Sequence, residues 1–401
     1  MEVSMSEVFD VEAFVERQVE EIRRAVGDAK ALIAVSGGVD STTSAVLTHR
    51  AIGDNLICVF IDDNFMRLGE PQQVKRTLSS PPLSLPVKVL DERERFMEAL
   101  RGLRDAEEKR KAFRETFYRV LGETAEREGC TYLVQGTIKA DIVETVGGIK
   151  TQHNILEQIG IDPVERFGFK VIEPVKALYK HQVREVARYL GAPPEVSERQ
   201  PFPGPGLSVR VVGEIRAEKL EELKRATAAV EEGLKGIGAA QYFAAIFDEV
   251  YEEEGGEIQE EAASILGIPA TRVRARTLRD RGTGIFEGRR AYGSVLTVSA
   301  EDPQGRTLEL EWGRMRRLQS ALQERHREFT HVLYRINERE EGDYLIAVRA
   351  VKTKDFITAE VAEAPWSLLK ATAAEVLEAC PKVSGVYFDI TPKPPATIEF
   401  E

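Results

Sequence analysis

The segment Val35-Ser-Gly-Gly-Val-Asp-Ser41 constrains the fold of this chain more than any other stretch. It follows a short apolar run, Ala31 to Val35, with the length and residue types of a buried parallel strand. Thr42 to Arg50, with Ala45, Val46 and Leu47, reads as the first turns of a helix. A strand that breaks at Ser-Gly-Gly and restarts as a helix aims backbone N–H groups and the helix dipole at one point, which is how a phosphate is held. Gly37 and Gly38 let the backbone approach a ligand with no Cβ in the way, and Ser36 and Ser41 add hydroxyl donors. No Gly-Lys-Ser/Thr follows at Walker spacing, so the lysine that grips a terminal phosphate is missing from the loop. The loop therefore reads as a pyrophosphate cradle, suited to chemistry at an α-phosphate. The bland alternative is an ordinary strand-to-helix turn.

A length of 401 residues predicts two or three domains. With no signal peptide and no apolar run long enough to span a membrane, the expected location is the cytoplasm. Cys58, Cys130 and Cys380 form no CxxC pair, which argues against a disulfide framework or a zinc site. A net charge of −12 argues against broad nucleic-acid binding while leaving room for a local basic pocket.

Residues 9 to 27 carry apolar side chains at helical spacing, from Val11 to Val26. Leu56 to Ile61 is a second strand ending in Asp62-Asp63, where an open α/β sheet binds ligands. Asp62 or Asp63 is a candidate contact to a nucleotide or its magnesium, with a plain strand-end turn as the alternative. A third strand lies at 87–90, and the mixed-charge run from Glu92 to Arg127 reads as a solvated helical face. After the strand Tyr132–Gly136, Asp141 and Glu144 share one face if helical, either as a magnesium or substrate-orienting pair or as a dipole-stabilised helix start. Lys150 and His153 lie in a glycine-flanked polar stretch that reads as a lid. A strand is expected at 171–175 and a helix at 181–190. Arg199-Gln-Pro-Phe-Pro-Gly-Pro-Gly206-Leu-Ser-Val-Arg210 is a stiff bend, a linker that could also present N–H groups and Arg210 to a phosphate. Beyond it, 241–251 is helix or strand, 252–261 a solvated acidic insertion, 285–298 an alternating segment, and 344–351 a strand. A strand-then-helix unit occurs twice, around Tyr292 and Tyr344.

The SGGVDS loop with the strand after it resembles the ATP pyrophosphatase family. The Gln-Gly-Thr-Ile at 135–138, the RQPFPGPGL segment and the closing Lys393-Pro-Pro-Ala-Thr-Ile-Glu399-Phe-Glu401 together resemble the ATP pyrophosphatase part of GMP synthases. The resemblance is collinear over nearly the whole chain and thins between about 235 and 340. It implies an α/β fold, a parallel-sheet adenine-nucleotide alpha-hydrolase-like domain at 1–208. An α+β dimerisation domain follows at 209–401, doubled into 209–308 and 309–401. The implied reaction uses ATP and Mg2+ to adenylate xanthosine monophosphate (XMP), after which ammonia displaces AMP to give GMP. Ser36, Gly37, Gly38, Val39, Asp40, Ser41 and Asp62 are then expected at ATP, with Asp40 and Asp141 at the metal. Asp141, Glu144, Lys150 and His153 are expected in catalysis, and Arg67, Arg210, Gln241, Arg290, Lys393 and Glu399 at XMP. The loop begins at Ser36 with no cysteine before it, so ammonia is expected from a separate glutaminase subunit, and the chain is expected to be a homodimer that binds neither nucleic acid nor membrane.

Several residues depart from the family pattern. Gln152 replaces a lid histidine, and the lid's paired glycines are gone. Gly288 stands where the family's turn has an aspartate, the KRKxxGR stretch has become Lys109–Glu115, and Phe400 replaces a tryptophan. A paralogue acting on another nucleotide, a thiolating enzyme and a non-catalytic nucleotide-binding regulator are the competing readings.

Overall fold

The computed structural model describes residues 9–139, 168–198, 200–254, 256–353 and 357–401. Two compact units form: residues 1–96 with 114–204, and residues 97–113 with 205–401.

In the first unit, the apolar runs become five parallel strands: β1 Lys30–Ala34, β2 Leu56–Asp62, β3 Val87–Asp91, β4 Cys130–Val134 and β5 Lys170–Ile172. Their order is β3-β2-β1-β4-β5. The chain leaves β1 towards one edge and later returns to its other side with β4, so the carboxyl end of β1 lies at a topological switch point, where such sheets open a crevice. Helix α1, Val11–Val26, starts where the Asp10 carboxylate accepts from Ala13 N–H at 3.0 Å and buries Phe14, Val15, Ile22 and Val26. Helix α2 spans Val39–Ile52, three residues earlier than expected, so the end of the glycine loop is itself the first helical turn. Helices α3, Glu70–Ser79, α4, Arg93–Ala99, α5, Ala106–Glu128, and α6, Lys180–Tyr189, follow; residues 97–99 of α4 and 106–113 of α5 belong to the second unit. The fifth strand ends before Val175, which is buried in a turn instead. The 92–127 run is not a uniformly solvated face: Phe96, Leu100, Lys109, Phe113 and Leu121 are buried within it.

The second unit is built on one eight-stranded mixed sheet with helices packed against it. Its strands are β6 Gln241–Asp248, β7 Tyr251–Glu254, β8 Val273–Phe286, β9 Arg289–Ala300, β10 Phe329–Glu338, β11 Tyr344–Lys352, β12 Glu360–Val361 and β13 Val383–Asp389. The order is β12-β11-β13-β10-β9-β8-β7, with β6 also on β11. The helices are α7 Ala217–Gly233, α8 Glu257–Leu266, α9 Trp312–Arg325 and α10 Trp366–Ala379. One apolar cluster gathers Phe243, Leu278, Val295, Leu333, Leu345 and Tyr387 from six strands together with Phe400. The ambiguous 241–251 stretch is thus strand. The acidic insertion is the end of β7 and the start of α8, a helix anchored by buried Ala262, Ala263 and Leu266. The alternating segment at 285–298 is interrupted by a hairpin turn at Glu287-Gly288, both with positive φ (49° and 75°), as a type I′ turn demands.

The repeated unit is real in the topology. In one copy β8 pairs antiparallel with β9, which crosses through α9 to the parallel strand β10. In the other, β6 pairs antiparallel with β11, which crosses through α10 to the parallel strand β13. The copies interleave, because residues 257–338 are inserted between β6 and β11. They meet where β10 and β13 pair antiparallel, with Tyr334 opposite Phe388. The chain's two tryptophans mark the symmetry. Trp312 donates to Ala364 O at 3.2 Å and stands edge-on to Phe388, while Trp366 donates to Leu310 O at 2.8 Å and stands edge-on to Tyr334. Reciprocal contacts of this kind are what a two-fold seam produces.

Candidate active site

In the first unit, β1 stops at Ala34 and the chain turns through Gly37, whose φ of 74° a Cβ would disfavour. Ser36 N–H donates to Ser41 Oγ at 3.2 Å, Gly38 N–H to Ser36 Oγ at 3.3 Å, and Ser41 Oγ to Gly38 O at 3.2 Å. The two serines thus brace the loop internally while the first-turn amides of α2, Val39, Asp40 and Ser41, are left without intrahelical acceptors, as at any helix start. Gly136, just past β4, packs on the loop from the side: a Cβ there would lie 2.8 Å from Ser41 N.

The loop's own sequence holds no lysine, and tertiary structure brings one. Lys180, the first residue of α6, places Nζ 2.6 Å from Asp40 Oδ2. A cation in the first turn of a helix opposes the macrodipole, a local oddity that could have flagged it. Nearby, Lys139 lies over the Tyr179 ring at 4.5 Å. The other Asp40 oxygen, Oδ1, is buried with no hydrogen-bond partner among the described residues. An orphaned carboxylate oxygen beside an anion loop fits one ligand of a magnesium ion, which takes one or two protein carboxylates and completes its shell with phosphate oxygens and water. Among the described residues no group of three or more His, Cys, Asp or Glu could hold a metal by itself. Asp62, at the end of β2, accepts from Asn64 N–H at 3.3 Å and lies 3.7 Å from Arg93, while Asp63 is buried and accepts from Phe65 N–H. Arg67 stacks over Phe202 of the proline-rich segment at 4.1 Å and lies 3.7 Å from Glu70. Asp141, Glu144, Lys150 and His153 lie outside the described residues.

A second cluster forms within the second unit. Arg210, almost wholly buried, donates through Nε and Nη2 to the two oxygens of Glu399, both at 2.9 Å, and stacks on Phe243. Gln241 Nε2 donates to Glu399 Oε1 at 3.1 Å. Lys393 is tied by its backbone to Ala359. Arg290 lies 3.5 Å from Glu107. Burial, together with the neighbouring Arg290, pushes Arg110 down to about 10, and its Nη2 donates to the Glu401 carbonyl. Beneath these, Lys109 donates to Val211 O and Gly213 O, each at 2.8 Å, and pairs with Glu401. Burial pushes the Lys109 ammonium down and the Glu401 carboxyl up, and each opposes the other's shift. Lys109, Arg110 and Glu401 lie in stretches that the family resemblance touches, but their composition gave no sign of burial, because a mixed-charge helix and a chain-end glutamate ordinarily lie in solvent. A cavity of about 290 Å³ in the same unit is lined by Arg104, Gly213, Asp280, Tyr292 and Glu401 among others. Tyr292 Oη is buried there without a partner among the described residues.

Burial pushes the thiols of Cys58 and Cys380 up to about 12 and that of Cys130 to about 11, so all three are packing residues rather than nucleophiles.

Loop, sheet order and switch point together define a PP-loop nucleotide-binding domain, and the model of that family, the PP-loop domain, matches residues 11–192. A second model, the GMP synthase C terminal domain, matches residues 335–400. The B-type subunit of glutamine-hydrolyzing GMP synthase from Sulfurisphaera tokodaii is 43% identical over 394 residues, covering 98% of this chain and 100% of the relative. The protein of the same name from Saccharolobus solfataricus is 43% identical over 395 residues, again 98% and 100%. Among solved structures, an NH3-dependent NAD synthetase from Campylobacter jejuni matches 49% of this chain and 80% of its own, at 16% identity and a TM-score of 0.38. The chain belongs to the family of GMP synthase B-type subunits, whose members are ligases. No helix among the described residues is long and apolar enough to cross a membrane.

Proposed function

We propose that this chain uses ATP to aminate XMP to GMP. The carbon-2 oxygen of XMP attacks the α-phosphorus of ATP and pyrophosphate leaves; ammonia then adds at carbon 2 and AMP departs. A purine carbonyl is a poor electrophile until its oxygen becomes a good leaving group, which adenylation supplies. Ser36 to Ser41 and Lys180 hold the pyrophosphate portion through backbone donors, hydroxyls and one ammonium. Asp40 and Asp141 would hold magnesium, which when bound would offset charge on the departing phosphates. Arg67, Arg210, Gln241, Arg290, Lys393 and Glu399 orient the purine nucleotide, and Asp141, Glu144, Lys150 and His153 complete the catalytic set.

The observation that supports this reading best is the gathering of Arg210, Gln241 and Glu399 into one hydrogen-bonded cluster. Arg210 and Gln241 lie 189 and 158 positions from Glu399 in sequence, and all three are positions that the sequence resemblance alone assigns to the nucleotide. Ammonia comes from a separate glutaminase subunit. A homodimer would have to use a surface other than the β10–β13 seam, which the chain's own second repeat fills.

The test is pyrophosphate release with ATP, magnesium, ammonium and a panel of purine nucleotides. Release that requires XMP and yields GMP is expected, with glutamine unable to replace ammonium until a glutaminase subunit is added. Release indifferent to XMP, or GMP formed from glutamine by the isolated chain, refutes the reading.

A further inference from the structure

Lys109 and Glu401 have no part in the chemistry above, yet both side chains are withdrawn from water, at 0% and 3% exposure. A buried ion pair often adds little stability over an apolar pair of the same volume, so its retention points towards the setting of a register. The geometry shows which register. Lys109 Nζ donates to the carbonyls of Val211 and Gly213, and the Glu401 carboxylate it pairs with also accepts from Gly213 N–H at 2.9 Å. One ammonium and one carboxylate thereby pin two segments together, 210–213 and 399–401. Those segments carry the nucleotide cluster. Arg210 immediately precedes Val211, and Glu399 stands two residues before Glu401. Gly213 adds a tight fit, since a Cβ there would meet Asp280 Oδ1 at 2.5 Å. Without that anchor nothing in the Lys109–Glu401 pair would hold the tail at the position from which Glu399 reaches Arg210 and Gln241.

We infer that Lys109 is a positioning residue: through Glu401 it sets the register of the tail against Arg210–Gly213, and so the geometry with which Arg210, Gln241 and Glu399 meet a purine nucleotide. The inference rests on the nucleotide reading of that cluster.

The test uses the full chain. Lys109→Met alone strands a buried carboxylate and threatens folding, so the decisive variant is Lys109→Met with Glu401→Gln, which removes both charges. A second, milder variant is Glu401→Gln alone, which keeps the two carbonyl bonds of Lys109. Three quantities are read: the thermal midpoint, KM for XMP against KM for ATP, and amide exchange of the tail segment 397–401. The double variant is expected to melt within about 5 °C of wild type. Its KM for XMP should rise about tenfold or more, with KM for ATP within about twofold and tail exchange about tenfold faster, effects of about 1.4 kcal/mol. Glu401→Gln alone should shift both in the same direction by less. A folded variant with wild-type KM for XMP and wild-type tail exchange overturns the inference, leaving the pair as packing. If wild type does not aminate XMP, the functional reading falls, and tail exchange still decides whether Lys109 sets the register.

Discussion

Replacing Gly136 by alanine isolates one contact on the glycine loop proposed to hold pyrophosphate. Gly136 does not occupy the left-handed region, so the backbone accepts alanine without strain, and the whole effect comes from the new methyl group. That methyl would lie 2.8 Å from Ser41 N, 2.9 Å from Asp40 C and 3.1 Å from Ser41 Cα, where ordinary contact begins at 3.4 Å. All three neighbours are backbone, so no side chain can swing aside. The loop, or the end of β4, must move by about half an ångström. Overpacking of this kind costs about 1–3 kcal/mol. The moving part carries the first-turn amides of α2, whose value lies in being aimed before the ligand arrives. If most of the cost falls on the ligand-competent loop, KM for ATP should rise by about tenfold to a hundredfold, since 1.4 kcal/mol is a factor of ten. KM for XMP should change far less. Steady-state pyrophosphate release at varied ATP measures this, with thermal unfolding as the control for global damage. Wild-type KM for ATP in a folded Gly136→Ala protein would show that β4 and the loop do not press on one another, and the account of the cradle would fail.

Lys180→Met should cost less than about 1 kcal/mol of stability, because the Lys180–Asp40 pair is partly exposed, yet raise KM for ATP about tenfold; an unchanged KM would remove Lys180 from the cradle. Phe400→Ala should destabilise the second unit by about 3–5 kcal/mol, because the ring is fully buried against Phe247 and His331; a melting curve within error of wild type would refute its place in the core. Burial pushes Asp389 up, but Arg349 and His331 outweigh it and hold the carboxyl below the usual range. A depressed carboxyl stabilises the fold above the unfolded value near pH 3.9 and loses that contribution as pH falls through its folded value. Acid unfolding monitored by circular dichroism should therefore show Asp389→Asn less stable than wild type at neutral pH, with the gap narrowing in acid; a constant gap would refute the assignment.

Much of the first unit is legible in the sequence because its signals are local. Strands buried on both faces read as unbroken apolar runs, and Ser-Gly-Gly marks one kind of break at which such a strand passes into a helix start. The second unit is less legible. The stretch at 241–251 is apolar on successive residues, a pattern that suits a central strand or a buried helix equally. The Glu287-Gly288 turn hides inside an alternating run because strand alternation resumes on both sides of it. The acidic stretch at 252–261 looks solvated because its anchoring residues, Ala262, Ala263 and Leu266, come after it.

By itself the sequence determined the strand–glycine–helix cradle, the stiff bend before Arg210, the presence of a repeated unit and the family to which these belong, because each is written in residues adjacent or periodic along the chain. Tertiary structure alone decided that Lys180 arms a lysine-free loop, that Glu399 lies between Arg210 and Gln241, and that Lys109 and Glu401 are buried together. Those contacts join residues more than a hundred positions apart, and such pairs exist only once strands have chosen their neighbours and burial has removed the water that would otherwise keep each charge apart.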